Sequence, residues 1–217
     1  VVILSATVNS RTKIYGPKIL YKTKNSNILE EQIHSINENI PNTEFYVTVG
    51  FEADSVIQKK PKSVKVIENT EYETTNLGNE LRLALNVCHH NKVLVTNGDT
   101  VFSKTTLKNY PTESFVVVDK QRQIGNEDVG IVKIENRLNY IGYGHEEKWC
   151  HIVMFAEREL EILRSLMLDR KYSKLYIFEI INEVINRGGI FNIHYPSCRI
   201  MRINNSKDLE MLRGVKF

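Results

Sequence analysis

The stretch VVILSATVNSRTKIYGPKIL, residues 1 to 20, joins an apolar, β-branched run (Val1 to Leu4) to a polar loop carrying Arg11, Lys13 and Lys18, with Gly16 as its one glycine. A buried strand opening into a basic loop suits a parallel α/β sheet, in which ligands settle beyond the carboxyl ends of the strands. Three cations match the charge of a triphosphate, and Pro17 stiffens the approach to Lys18. A solvated basic surface loop has the same composition, so the reading turns on whether the rest of the chain builds such a sheet.

The first half has the required rhythm. Phe45 to Val49, Val64 to Ile67, Val93 to Thr96 and Phe115 to Val118 are short apolar runs with strand character. Between them, Ile28, Leu29, Ile33, Ile36 and Ile40 share one helical face, with Asn27 and Glu30 suited to a capped start and Pro41 as a stop. Leu77, Leu81, Ala84, Leu85 and Cys88 mark a second helix over about 75–88. Strands alternating with helices predict parallel βαβ units with right-handed crossovers.

After Asp119 the pattern changes. Val129 to Ile134 and Leu138 to Ile141 flank the turn-like Glu135-Asn136-Arg137 and predict a hairpin; Cys150 to Phe155, Ile190 to His194 and Arg199 to Ile203 predict strands. Helices are expected over about 157–168 and 174–187, the latter stopped by Gly188-Gly189, and at the end around Leu209 and Leu212. The expected architecture is a single α/β domain spanning 1–217. Its mixed, mainly parallel sheet is flanked by helices, with an antiparallel excursion in the second half.

Composition narrows the function classes. A chain of 217 residues with 41% hydrophobic content can bury a sizeable core. A net charge of +3 with both signs interspersed argues against a general nucleic-acid binder. No run approaches the length needed to cross a bilayer. Cys88, Cys150 and Cys198 lie far apart without CxxC spacing, which predicts buried thiols in a reducing cytosol rather than a zinc site. A cytoplasmic protein with no nucleic-acid or membrane partner is expected.

Three polar clusters fall at predicted strand ends: Ser5 to Lys18, Asn69 to Asn76, and Asn97-Gly98-Asp99. Asp99, just past a glycine, suits a Mg²⁺ carboxylate, although a plain Gly-Asp turn has the same sequence. Thr75 and Asn76 could read a base or sugar, or cap a helix. His89, His90 and His151 receive no catalytic role.

Taken in order, these segments resemble the nucleoside-triphosphate transferases with a GT-A-like, Rossmann-like α/β fold, which include sugar-phosphate nucleotidyltransferases and phosphocholine cytidylyltransferases. Leu4 to Arg11 and Pro17-Lys18-Ile19-Leu20 occupy the frame of the loop L-x-A-G-x-G-x-R followed by Pro-Lys. VTVGFEAD (47–54), ENTEYETTN (68–76), VTNGDTVF (95–102) and RINNSKDLEML (202–212) are similar to later motifs of that family. Two departures stand out. Thr7 and Asn9 replace the loop glycines, and Asn204 takes the place of the second metal carboxylate.

The resemblance implies attack by a phosphate or phosphonate oxygen of a small acceptor on the α-phosphorus of a nucleoside triphosphate, releasing pyrophosphate. Arg11 would hold the β and γ phosphates, Lys18 would stabilise charge around the α-phosphate, and Asp99, with Asn204, would hold Mg²⁺. Ala6, Thr7, Asn9, Ser10, Thr75, Asn76 and Gly98 would surround the nucleotide, with CTP favoured. Residues of about 1–119 form the nucleotide half and about 120–217 the acceptor half. There Tyr143, Trp149, Tyr176 and Glu179 are candidates for an aromatic, acidic box around a cationic head group, or for ordinary core and dimer-surface positions. Asp208 is assigned to helix capping, and a homodimer is a further expected partner. A degenerate relative that binds nucleotide without turnover stays open. A glycosyltransferase fits poorly, because Thr100 and Val101 follow Asp99 where a D-x-D motif needs a second acid.

Overall fold

Side chains alternate across β1 (Val2–Leu4): Val2 and Leu4 enter one core while Val1 and Ile3 enter the other. This is the pattern of a strand covered on both faces. β4 (Lys92–Asn97) divides likewise, with Val93 and Val95 on one side and Leu94 on the other. In the computed structural model, which describes residues 1–8, 13–24, 26–120, 125, 128–198 and 200–214, these are adjacent interior strands of a nine-stranded sheet. β2 (Tyr46–Val49) and β3 (Lys65–Glu68) extend it in parallel register beyond β1.

Helices complete both layers. α1 (Ile28–Asn37) and α2 (Ala53–Lys59) cover one face through Leu29, Ile36 and Val56. α3 (Leu77–Val87), α4 (Glu157–Met167) and α5 (Ile177–Asn186) cover the other through Leu81, Leu163 and Ile180. Each fully buried Leu or Ile contributes about 1.5–3 kcal/mol of hydrophobic stabilisation. The Asn27 side chain accepts the N–H of Glu30 at 3.1 Å, which is the expected cap, but α1 ends a turn before Pro41. The periodicity did not predict α2, whose two turns bury only Val56.

In the second half, β9 (Glu147–Ala156) enters antiparallel between β4 and β6 (Phe115–Asp119). β10 (Asn192–His194) runs parallel to β6, and the hairpin of β7 (Val129–Ile134) and β8 (Arg137–Tyr143) follows. Because β7 also pairs with the start of β9, five strands close into a ring: β9, β6, β10, β8 and β7. The register of β6 on β9 slips between Val116 and Val118, and within this bulge His151 takes a left-handed φ of 59°. Such a bulge re-aims a side chain.

β5 (Thr100–Val101) pairs with β11 (Met201–Arg202) as a separate two-stranded sheet, and α6 (Ser206–Gly214) packs Leu209 and Leu212 over it. The mixed α/β single domain is as expected. Cys88 and Cys150 are buried free thiols, whereas Cys198 is half-buried, its Sγ 3.0 Å from Thr106 Oγ1. Among the described residues no helix is long and apolar enough to cross a membrane.

Phe155 is wholly buried and meets Phe191 edge to face with centroids 5.5 Å apart. Phe155→Ala is expected to cost roughly 3–5 kcal/mol in urea unfolding, against roughly 1 kcal/mol for Asn27→Ala.

Candidate active site

β4 delivers Asn97, and the turn that follows presents Asp99. Gln32, on the buried face of α1, grips the turn from both ends, its Nε2 donating to Asn97 O at 2.9 Å and to Thr100 O at 2.5 Å. The Gly98 N–H donates to Leu4 O at 2.7 Å, and a Cβ at this position would lie 2.7 Å from Ser5 Cβ. Glycine is needed here for the β1 loop and the turn to touch.

Three cations or dipoles converge on Asp99. Lys18 Nζ stands 2.9 Å from Oδ2, and Arg202 Nε lies 3.4 and 3.3 Å from the two carboxylate oxygens. Lys18 also donates to Ile203 O at 2.7 Å, while the Ile203 N–H donates to Asp99 O at 2.9 Å. Burial pushes the Asp99 carboxyl up, but the Arg202 and Lys18 charges outweigh it and hold the group well below the usual carboxylate range. Behind Arg202, the His151 Nε2 lies 3.3 Å from Nη1 and its ring 4.6 Å from that of Trp149. Burial, reinforced by Arg202, keeps His151 well below its ordinary value, so the neutral ring accepts from the guanidinium.

A second buried carboxylate shapes the loop after β1. Glu80 of α3 accepts the N–H of Ala6 at 2.9 Å and of Thr7 at 3.2 Å, and the Thr48 hydroxyl also bonds it. Ser5 N–H donates to Thr48 Oγ1 at 2.9 Å, and Phe51 N–H to Ala6 O at 3.0 Å. Desolvation raises the Glu80 carboxyl to about 7 despite these hydrogen bonds. Thr7 keeps an ordinary negative φ, so this part of the loop does not depend on the missing glycine. Its amides face Glu80.

Between the loops lies a cavity of about 720 Å³. Ser5, Thr7, Val8 and Lys18 of the first cluster, Glu73, Thr75 and Asn76 of the second, and Asn97, Gly98 and Asp99 of the third line it, together with Tyr176 and Arg202. The three predicted clusters therefore share one crevice. Asn9, Ser10 and Arg11 fall outside the described residues. Ala6 is buried and does not line the cavity. Asn76 also caps α3, accepting the Leu77 N–H at 2.9 Å, and Thr75 donates to Glu71 O at 2.6 Å.

The acceptor candidates separate. Trp149 is 1% exposed and packs in the core, and Glu179 accepts the Tyr176 N–H at 2.7 Å at the start of α5. Tyr176 lines the cavity and stacks on Phe178 with centroids 5.7 Å apart; Tyr143 meets the same ring edge-on. Asp208 caps α6, accepting the N–H groups of Asn204 at 2.8 Å and Asn205 at 3.3 Å.

Among the described residues no group of three or more His, Cys, Asp or Glu side chains could hold a metal ion. Among the described residues lining the cavity the carboxylates are Asp99 and Glu73, and two cations already occupy Asp99. This donor set does not fit a resident divalent ion.

An ionised carboxylate at the end of a central parallel strand, between a lysine and an arginine and facing a polar crevice, invites comparison with known folds. The chain shares its fold with solved nucleotidyltransferases. A CTP:phosphocholine cytidylyltransferase from Streptococcus pneumoniae superposes with a TM-score of 0.81 at 18% identity, covering 98% of this chain and 96% of that one. An inositol-1-phosphate CTP transferase from T. maritima gives 0.78 at 16%, covering 97% and 93%. A nucleoside-diphosphate-sugar pyrophosphorylase from Vibrio cholerae gives 0.76 at 16%, covering 98% and 99%. No family model matches the sequence. At these identities the likeness carries the fold.

Sequence reasoning missed Gln32, Glu80, Arg202 and the role of His151. For the first two a signal existed: each is a polar residue on the apolar face of an amphipathic helix, and each is fully buried. A polar group there must be matched by partners, and both bind the loops that build the site.

Glu80 gives a pH prediction. Its folded value, about 7, lies above the ordinary 4.5, so the protonated form is favoured by folding. The stabilisation is full below pH 4.5 and is lost as pH rises through 7, a change of about 3 kcal/mol. In urea unfolding at a series of pH values, Glu80→Gln should remove this slope.

Proposed function

We propose that this protein transfers a nucleoside monophosphate from a nucleoside triphosphate to a small phosphorylated acceptor, releasing pyrophosphate. The observation that carries the reading is the cavity beyond β1 and β4, where Lys18 and Arg202 flank Asp99 on a fold shared with nucleotidyltransferases. An acceptor phosphate oxygen attacks the α-phosphorus, the bond to the β-phosphate oxygen breaks, and pyrophosphate departs. Such a displacement needs alignment and charge neutralisation more than covalent chemistry from the protein.

Lys18 is fixed at both Asp99 and Ile203 O, so its ammonium is held in place for charge developing around the α-phosphate. Arg11, from its place in the sequence, is assigned to the β and γ phosphates. The nucleotide occupies the side formed by 1–119, near Thr75 and Asn76. The acceptor approaches from 120–217, where Tyr176 offers an aromatic face to a cationic head group. CTP is the favoured donor, supported by two neighbours named for it. Any Mg²⁺ arrives with the triphosphate as part of the substrate.

A second reading, nucleotide binding without turnover, is favoured by one observation: Glu80 already takes the Ala6 and Thr7 amides, which a ligand at this loop would otherwise meet. Pyrophosphate release with CTP, UTP, dTTP, ATP and GTP across phosphorylated acceptors, paired with calorimetry, separates the two. Turnover is expected, with CTP best. Lys18→Ala should lower it by at least about 100-fold. Near-normal turnover in that variant overturns the mechanism, and binding without turnover across the panel favours the second reading.

A further inference from the structure

Asp99 is already paired on both sides. Lys18 Nζ meets Oδ2 at 2.9 Å, and Arg202 Nε faces both oxygens at 3.4 and 3.3 Å. The pairing is built into the backbone: Arg202 is held opposite Thr100 by the β5–β11 ladder, and Ile203 N–H closes onto Asp99 O. The far side of the guanidinium is fixed as well. His151, 7% exposed, turns into it from the left-handed bulge of β9, with Nε2 3.3 Å from Nη1. The Arg202 side chain is 29% exposed and lines the cavity, so this cation is fixed in place and still faces a ligand.

We infer that Arg202 fills the cation position of this site, so that Asp99 holds no divalent ion and phosphate-bearing ligands are neutralised here by the guanidinium. Mg²⁺ demands near-octahedral oxygen ligands at about 2.0–2.1 Å. To reach Asp99 it would displace Arg202 and stand beside Lys18 as well. The three side chains sum to one net positive charge, which suits phosphate oxygens and opposes a divalent cation. A guanidinium is also the side chain best shaped to pair carboxylate and phosphate at once. The nucleotide half of this inference rests on the proposed transferase reading; the metal half does not.

Two measurements on the intact chain test it. Electron paramagnetic resonance with Mn²⁺ alone should show no ion retained by the wild type or by Arg202→Lys. Mn²⁺ held by the wild type and released by Asp99→Asn overturns the inference, whether or not the arginine variants fold. Calorimetry with CTP and with inorganic pyrophosphate should give affinities in EDTA within about threefold of those in Mg²⁺, and Arg202→Gln should weaken the EDTA values by roughly tenfold. Binding that requires Mg²⁺ overturns the inference and leaves the transferase reading standing. Absence of binding in both buffers overturns the transferase reading and the nucleotide half of the inference, while the Mn²⁺ result still decides whether Asp99 takes a divalent ion.

Discussion

The Asp99 carboxylate is ionised in a largely buried place, and a charge in such surroundings must be paired. Four segments distant in sequence meet that demand. The loop after β1 supplies Lys18, β11 supplies Arg202, α1 grips the turn through Gln32, and the bulge of β9 backs Arg202 with His151. Removing any one leaves a buried charge, donor or acceptor without that partner. The same pairing holds the small β5–β11 sheet against the main one, since Ile203 bonds to Asp99 and Lys18 at once.

Glu80 plays a comparable part on the other side of the cavity. Its carboxyl group fixes the first residues of the basic loop by their amides, and Thr48 ties it to β2. A glycine loop reaches a ligand by freeing its backbone; here the Ala6 and Thr7 amides are instead turned onto Glu80. Lys18 and Arg202 then supply the positive field at the cavity. Electrostatic complementarity carried by side chains is consistent with the substitution at position 7.

Much of the architecture was legible. β1, β2, β4 and β6 are continuous apolar runs because both faces are buried, and α1 and α3 show their apolar stripes. The three polar clusters were placed correctly at strand ends, and the structure gathers Lys18, Thr75, Asn76 and Asp99 around one cavity. Trp149 and Glu179 were candidates either for an acceptor box or for ordinary structural positions; one fills the core and the other caps its own helix. The five-stranded ring was not legible, because its closing contact is a two-residue pairing of β7 with β9.

The sequence by itself determined most of the elements, their order and the positions of the polar loops, because periodicity and capping are local properties of the chain; α2 and the short β5 were exceptions. Tertiary structure alone decided which charges meet. Lys18 and Arg202 reach Asp99 across 81 and 103 positions, distances over which no spacing rule operates. The opening strand and its loop predicted a grip for phosphate. The pairing of β5 with β11, which brings in Arg202, and the fold of the opening loop, which brings in Lys18, decided that the carboxylate beyond β4 already has its cations.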